Sequence, residues 1–290
     1  MQGVIAQPVA EPSATTLKVL SWNIYMLPHL IARGSEKSKR ASTIAELLSE
    51  SDYDVIFFQE AFHARPRKII YNNLIERFTH CAGPANRHKF SLKTNSGLWV
   101  FSKYPILRHQ SIVYQTRHGI DAFSRKGALL VDINVNGQVV QVAGTHLQNS
   151  GPSWLKQMQC VEFFERLLKP NQKEGVPQII CGDFNIDMRT QRDDYRKMLN
   201  LLDATDTNTD SQLVTYDRQD NQLKNETGTS DLIDYILVRH NGAALMWSTA
   251  VRRFTRTWKK DFSDLSDHYS LHTEITISGE QQAVASLGRQ

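Results

Sequence analysis

The sequence predicts an α/β protein built as two β-sheets packed together and flanked by helices, and three observations carry that prediction. Short apolar runs such as residues 54–59 and 178–182 have the length of strands buried on both faces. Between such runs lie longer stretches whose apolar residues recur at helical spacing. The middle of the chain is strand-rich, and Asn136-Gly137 separates two apolar runs there as a two-residue hairpin turn does. In this arrangement each helix buries one stripe on a sheet, while the sheets bury their inner faces against each other.

Residues 17–22 form the first predicted strand, ending at Asn23. Residues 39–50 carry Ala41, Ile44, Ala45, Leu47 and Leu48 on one helical face. Strand 54–59 follows and delivers Glu60 to its end. Pro66 can start the next helix, with Ile69, Ile70, Leu74, Ile75 and Phe78 as its stripe. Residues 97–102 are the next strand, punctuated by Pro105, and residues 106–114 are its expected partner. Strands 128–135 and 138–143 flank Asn136-Gly137 and end near His146. Residues 152–168 return to helix through Trp154, Met158, Val161, Phe164 and Leu168. Strand 178–182 leads into Asp183 and Asn185, and residues 191–202 are helical. The polar stretch 203–230 reads as loop, long enough to imply a functional role or short hidden strands. Residues 232–238, 247–254 and 269–277 supply the last strands.

A chain of 290 residues is long enough for two average domains or one large α/β unit. No repeat or linker divides it, so one domain is expected over residues 17–277. A flexible lead-in (1–16) and a tail (278–290) flank it. With 40% hydrophobic and 22% charged residues the composition is that of an ordinary globular protein. No apolar run is long enough to cross a bilayer, and the first sixteen residues lack the basic start and apolar core of a signal peptide. The net charge of +4 suits an anionic substrate or membrane surface without identifying either. Cys81, Cys160 and Cys181 have no metal-binding spacing. Cys181, after Ile179-Ile180, reads as a small buried hydrophobe. One Cys81–Cys160 bridge stays open.

The chemistry concentrates in two short motifs. Gly182-Asp183-Phe184-Asn185 places a carboxylate and a carboxamide on one face of an extended strand. Ser266-Asp267-His268 joins a carboxylate to an imidazole just before the last strand. Asn23, Glu60, His146 and Asp234 lie at other strand ends. Carboxylate and amide oxygens suit a hard cation such as Mg²⁺, and histidine suits proton transfer near neutral pH. The combination points to metal-assisted hydrolysis of a phosphate ester. Taken singly, each residue has an ordinary explanation. Asp183 and Asn185 are good turn residues, Glu60 and Lys126 are commonly solvated charges, and Asn23 can cap a turn. The ordered set is what carries weight.

That set resembles the endonuclease/exonuclease/phosphatase superfamily. Its signatures are Ser21-Trp22-Asn23, Phe58-Gln59-Glu60, Gly144-Thr145-His146, Gly182-Asp183-Phe184-Asn185, Ile233-Asp234-Tyr235 and Ser266-Asp267-His268, in family order. The resemblance implies a four-layer α/β sandwich of two mixed β-sheets, a divalent metal and phosphoester hydrolysis. Within the superfamily the chain is similar to neutral, bacterial-type sphingomyelinases. The carriers are Asn23-Ile24-Tyr25-Met26-Leu27-Pro28, the block from Gly97 to Ile106, and Asp121 followed by Lys126-Gly127-Ala128.

By that resemblance Glu60 is the leading ligand of Mg²⁺, with Asn23 beside it orienting metal or phosphate. His268 is the general base, and Asp234 orients it. Asp183 and Asn185 position water and phosphate, while Asp267 assists a second metal position or the base. His146 stabilises the phosphate or protonates the departing alkoxide. Lys126 neutralises phosphate, and Asp121 positions Lys126 or neighbouring groups. The implied reaction is hydrolysis of sphingomyelin to ceramide and phosphocholine. A metal-dependent nuclease and a broader lipid phosphodiesterase are the rival enzymes, and nucleic acid is a substrate only in the first. A non-catalytic membrane- or phosphate-binding module is the third reading. No obligate protein partner is evident.

Two departures stand out. Asn95 lies where some members of the group carry a carboxylate. Residues 251–260 are shorter than the aromatic hairpin of some secreted relatives, yet hold Phe254 and Trp258 among Arg252, Arg253, Arg256, Lys259 and Lys260. This segment reads either as a peripheral membrane contact or as a solvated edge strand guarded by charge. For compartment, the resemblance favours secretion or membrane association, and the lack of a visible signal pattern leaves the cytoplasm open.

Overall fold

In the computed structural model, which describes residues 14–28, 36–87, 94–119, 124–208, 210–224 and 227–278, the alternation of strands and helices resolves into four layers. The first sheet has the order β11-β14-β1-β2-β4-β3. Its strands are β1 (Thr15–Asn23), β2 (Val55–Gln59), β3 (His80–Ala82), β4 (Trp99–Ser102), β11 (Ala244–Arg252) and β14 (Ser270–Ser278). The second has the order β5-β6-β7-β8-β10-β9. It comprises β5 (Ile106–Val113), β6 (Gly127–Val135), β7 (Gln138–His146), β8 (Gln178–Asp183), β9 (Thr205–Asp206) and β10 (Asp234–Arg239). Both sheets are mixed: β1 and β2 run parallel, as do β7 and β8, and the other pairs are antiparallel.

Strand alternation assigns each apolar residue to a layer. Leu17, Val19, Val55 and Phe57 of the first sheet meet Leu129, Val131, Val142, Ile179 and Cys181 of the second in the central core. Leu20, Trp22, Ile56 and Phe58 point outward, against Ala41, Ile44, Ala45 and Leu48 of α1 (Lys37–Ser49) and Ile70 and Leu74 of α2 (Ala64–Leu74). On the far side, Leu130, Ile180 and Tyr235 pack on Cys160 and Phe163 of α3 (Ser153–Phe163) and on Met198 and Leu202 of α5 (Arg192–Leu202). A five-residue π turn (Phe164–Leu168) and the single turn α4 (Lys169–Asn171) continue α3. Two glycines set the close approaches: a Cβ at Gly144 would lie 2.4 Å from the Phe57 ring, and one at Gly182 would lie 2.4 Å from the Thr145 carbonyl oxygen. The glycines of the Gly-Thr-His and Gly-Asp-Phe-Asn motifs are therefore packing residues.

Several expectations are corrected. Residues 106–114 do not pair with β4; β5 pairs with β6 in the other sheet. Pro105 has no N–H to continue a ladder, and its carbonyl instead accepts from Asn134 N at 2.9 Å as the chain crosses between sheets. The inward stripe of α3 is Leu155, Gln159, Cys160 and Phe163, while Trp154 and Met158 are 56% and 43% exposed. Polar Gln159 belongs inside because it is satisfied there, accepting from Gln148 N and donating to the Thr116 carbonyl. The bridge left open between Cys81 and Cys160 does not form: all three cysteines are free, and these two lie in different layers.

Residues 251–260 enter a hairpin of their own, β12 (Thr255–Lys259) with β13 (Phe262–Asp264). Phe254 lies 5.0 Å from the Trp22 ring, and Trp258 Nε1 donates to the Asp264 carbonyl at 2.8 Å. Arg256 pairs with Glu46 and Glu50, and Lys259 with Glu36. Both aromatics thus face the protein, and the segment is docked on α1 rather than standing as a free edge strand. No helix of the described residues is long and apolar enough to cross a membrane. Asp121, residues 1–13 and residues 279–290 lie outside the described residues.

Candidate active site

Strand direction gathers the site. The parallel pairs β1/β2 and β7/β8 present their C-terminal ends, carrying Asn23, Glu60, His146 and Asp183, to one edge of the sandwich. Strands β10 and β14 run antiparallel to β8 and β1, so their N-terminal ends bring Asp234 and His268 to the same edge. Asp234 and Asp183 are direct register partners, as are His146 and Asp183. These ends surround a cleft of about 490 Å³, lined also by Tyr25, Phe62, Lys126, Asn185, Asp267 and Lys224.

His268 Nδ1 lies 2.8 Å from Asp234 Oδ2, and its Nε2 faces the cleft 3.7 Å from Asp183 Oδ2. Burial pulls the imidazole down, but the Asp234, Asp183 and Asp267 carboxylates outweigh it and raise His268 to about 10. Asp183 accepts from Asn23 Nδ2 at 3.1 Å and from Asn185 N at 3.0 Å. Burial, with Asp234 beside it, lifts Asp183 to about 6. Asn185 is held in the left-handed region at φ 54, donating to the Leu147 carbonyl at 3.1 Å. Lys126 Nζ donates to the same carbonyl at 2.8 Å.

His146 Nε2 lies 3.4 Å from Asp183 Oδ2, and its Nδ1 has no hydrogen-bond partner among the described residues. Burial, aided by the Lys126 and His268 charges, pushes it well below the ordinary histidine range. That direction favours the neutral imidazole, which can donate a hydrogen bond to a phosphate oxygen. Asn95 has a local duty, accepting from Gly97 N at 2.8 Å.

Glu60 tests whether a cation belongs here. It follows β2 at φ 57, an uncommon conformation for a non-glycine residue. Its Oε2 is buried with no hydrogen-bond partner among the described residues. Burial, then Asp267, raises Glu60 to about 8. An orphaned buried carboxylate oxygen, with the Asp267 carboxylate near it, suits a hard divalent cation. Asp183, Asp234 and His268 also bring potential ligand atoms within 4.8 Å of one another. There, however, the His268–Asp234 contact engages two of those atoms and Asp183 Oδ2 already accepts from Asn23 Nδ2, so Glu60 makes the case for a cation. The residues fit a divalent metal.

Four supporting groups escaped the sequence reading. Arg40, wholly buried, donates to the carbonyls of Ile24, Tyr25 and Leu265. Thr215 Oγ1 accepts from the Ile233 and Asp234 backbone N–H groups. Tyr216 bridges to Asp231 and His268, its ring 4.8 Å from the imidazole. Lys224 Nζ lies 3.7 Å from Asp267 Oδ2. The last three sit in the polar stretch 203–230; the apolar Leu213-Val214 ahead of Thr215-Tyr216 was the one available signal.

Oxygen donors for a hard cation and a carboxylate-held imidazole, converging on one cleft, serve attack of water on a phosphate ester. That chemistry defines the class, a metal-dependent phosphodiesterase. The chain belongs to the Endonuclease/Exonuclease/phosphatase family, whose profile matches residues 20–268. Among its relatives, a sphingomyelinase C of Listeria ivanovii is 27% identical, over 92% of this chain and 88% of its own. The crystal structure of SmcL superposes with a TM-score of 0.79 at 26% identity, covering 89% of this chain and 98% of that one. A beta toxin variant from Staphylococcus aureus, solved with bound magnesium ions, matches in fold with a TM-score of 0.78 at 24% identity, over 89% and 99% of the two chains.

Proposed function

We propose that this protein is a Mg²⁺-dependent sphingomyelin phosphodiesterase, hydrolysing sphingomyelin to ceramide and phosphocholine without a covalent enzyme intermediate. One observation carries the mechanism: His268 is held through Nδ1 by Asp234 while Nε2 faces the cleft. Glu60, with Asn23 and Asp267, would hold the metal. When bound, the cation stabilises charge on the phosphate oxygens and opposes protonation of nearby His268.

The protein's own groups do the rest. His268 Nε2 takes the proton of the attacking water, and Asp234 stabilises the imidazolium that forms. Asp183 orients that water, with Asn23 and Asn185 fixing its carboxylate. His146 donates a hydrogen bond to the phosphate, and Lys126 adds positive charge beside it. Asp121, five residues before Lys126, would steady this element. The choline-lipid assignment rests on the sphingomyelinase-like blocks and on the sphingomyelinase C relatives. The substrate brings the protein to a lipid surface, where Arg252, Arg253, Lys259 and Lys260, the exposed cations of the 251–260 segment, would be its contacts.

The test is a substrate panel with Mg²⁺: sphingomyelin, lysophospholipid, phosphatidylcholine, inositol phosphates and DNA. Phosphocholine release from sphingomyelin is expected. Cleavage of DNA without phosphocholine release would move the assignment to a nuclease.

A further inference from the structure

Helix α3 carries a buried ammonium into the cleft. Lys156 is only 8% exposed, and it lines the same cavity as His268. Its hydrogen bond among the described residues goes to the Asn185 carbonyl. Burial lowers its pKa, with the Asp183 and Asp194 charges acting the other way. A charge there costs solvation that a hydrocarbon side chain would not. What the ammonium supplies, and a hydrocarbon could not, is the bond to Asn185.

Asn185 stands in left-handed backbone at φ 54, where residues other than glycine are uncommon. Held there, its N–H donates to Asp183 Oδ1 at 3.0 Å and its amide to the Leu147 carbonyl at 3.1 Å. Lys156 secures the third point, the carbonyl end of the turn. It reaches in from a helix that Cys160 and Phe163 fix in the core. We propose that Lys156 is a positioning residue: through the Asn185 carbonyl it holds the turn that aims Asn185 and steadies the Asp183 carboxylate, without touching substrate. The proposal rests on reading Asp183 as the carboxylate that orients the attacking water.

Two measurements on the full chain test it. Without substrate, NMR follows hydrogen exchange of the Asn185 amide. Lys156→Met should exchange it at least about tenfold faster than wild type, while amides of the α3 core keep their protection. With sphingomyelin and Mg²⁺, Lys156→Met should lower kcat by about 10- to 100-fold and change KM by less than about threefold. Lys156→Arg keeps an N–H donor on a long stem and should retain wild-type exchange and most of kcat. Glycine adopts the left-handed turn without strain, so adding Lys156→Met to Asn185→Gly should cost less than about threefold more. Unchanged Asn185 exchange in Lys156→Met, or an equal defect in Lys156→Arg, overturns the proposal. So does a loss carried by KM or persisting in Asn185→Gly, because Lys156 would then be a direct substrate contact. Absence of sphingomyelin turnover in the wild type would overturn the assigned substrate, while the exchange comparison would still stand.

Discussion

His268 Nδ1 and Asp234 Oδ2 are 2.8 Å apart, although 34 residues separate them in sequence. The contact fixes the ring with Nε2 toward the cleft and makes Asp234 a principal cause of the raised imidazole. Its backbone support comes from Thr215, whose hydroxyl accepts from Asp234 N.

Asp234→Asn should lower kcat by about 10²- to 10⁴-fold, the usual worth of a positioned general base. Removing a carboxylate that favours the imidazolium also lowers the His268 pKa. The acid limb of the pH–rate profile should therefore move to lower pH while the plateau drops. A purely structural role would lower the plateau and leave the limb in place.

Glu60 links metal binding to pH. Without metal, burial and Asp267 raise it to about 8, and the cation binds the ionised form. Below pH 8 a proton must leave as Mg²⁺ enters, so affinity should rise by up to about tenfold per pH unit and flatten above 8. Calorimetric titrations in buffers of different ionisation heat count that proton. Glu60→Gln should bind Mg²⁺ weakly and lose this component of the pH dependence.

Arg40 ties the chain after β1 to the segment leading into His268. It donates to Ile24 O at 3.1 Å, Leu265 O at 2.7 Å and Tyr25 O at 2.5 Å. An ammonium lacks the fork that spans these carbonyls. Arg40→Lys should cost about 2–4 kcal/mol of stability, read by denaturant unfolding, and should reduce kcat because Ser266-Asp267-His268 loses its anchor.

The hairpin after β11 separates packing from charge. Trp258→Ala removes a half-buried ring and its bond to the Asp264 carbonyl, and should cost about 2 kcal/mol of stability. Liposome association should follow the exposed cations instead, at about 1 kcal/mol per basic residue on an anionic surface. Arg252→Glu with Lys260→Glu should weaken cosedimentation at least tenfold. Loss of liposome binding in Trp258→Ala with unchanged stability would reverse this assignment.

What the sequence disclosed follows from where its signals reside. Asn23, Glu60, His146, Asp183, Asp234 and His268 were legible because each ends or begins an apolar strand, and parallel and antiparallel neighbours bring those ends to one edge. Tyr216 and Lys224 were not, because loop 203–230 is shaped by side-chain-to-backbone bonds such as Asn221 Nδ2 to Ser266 O. Such bonds leave no periodic trace. The β5 pairing was misread because Pro105 stops a ladder without saying which sheet the chain enters next. Trp154 and Met158 misled because apolar spacing marks a helical face without showing that polar Gln159 and Lys156 are satisfied on the opposite one.

Phosphocholine release from sphingomyelin vesicles, with and without Mg²⁺, tests the assignment most directly. The wild type should release phosphocholine only with the metal, and Glu60→Ala and His268→Ala should each fall by at least about a hundredfold. Turnover retained in His268→Ala, or release independent of divalent metal, would contradict it.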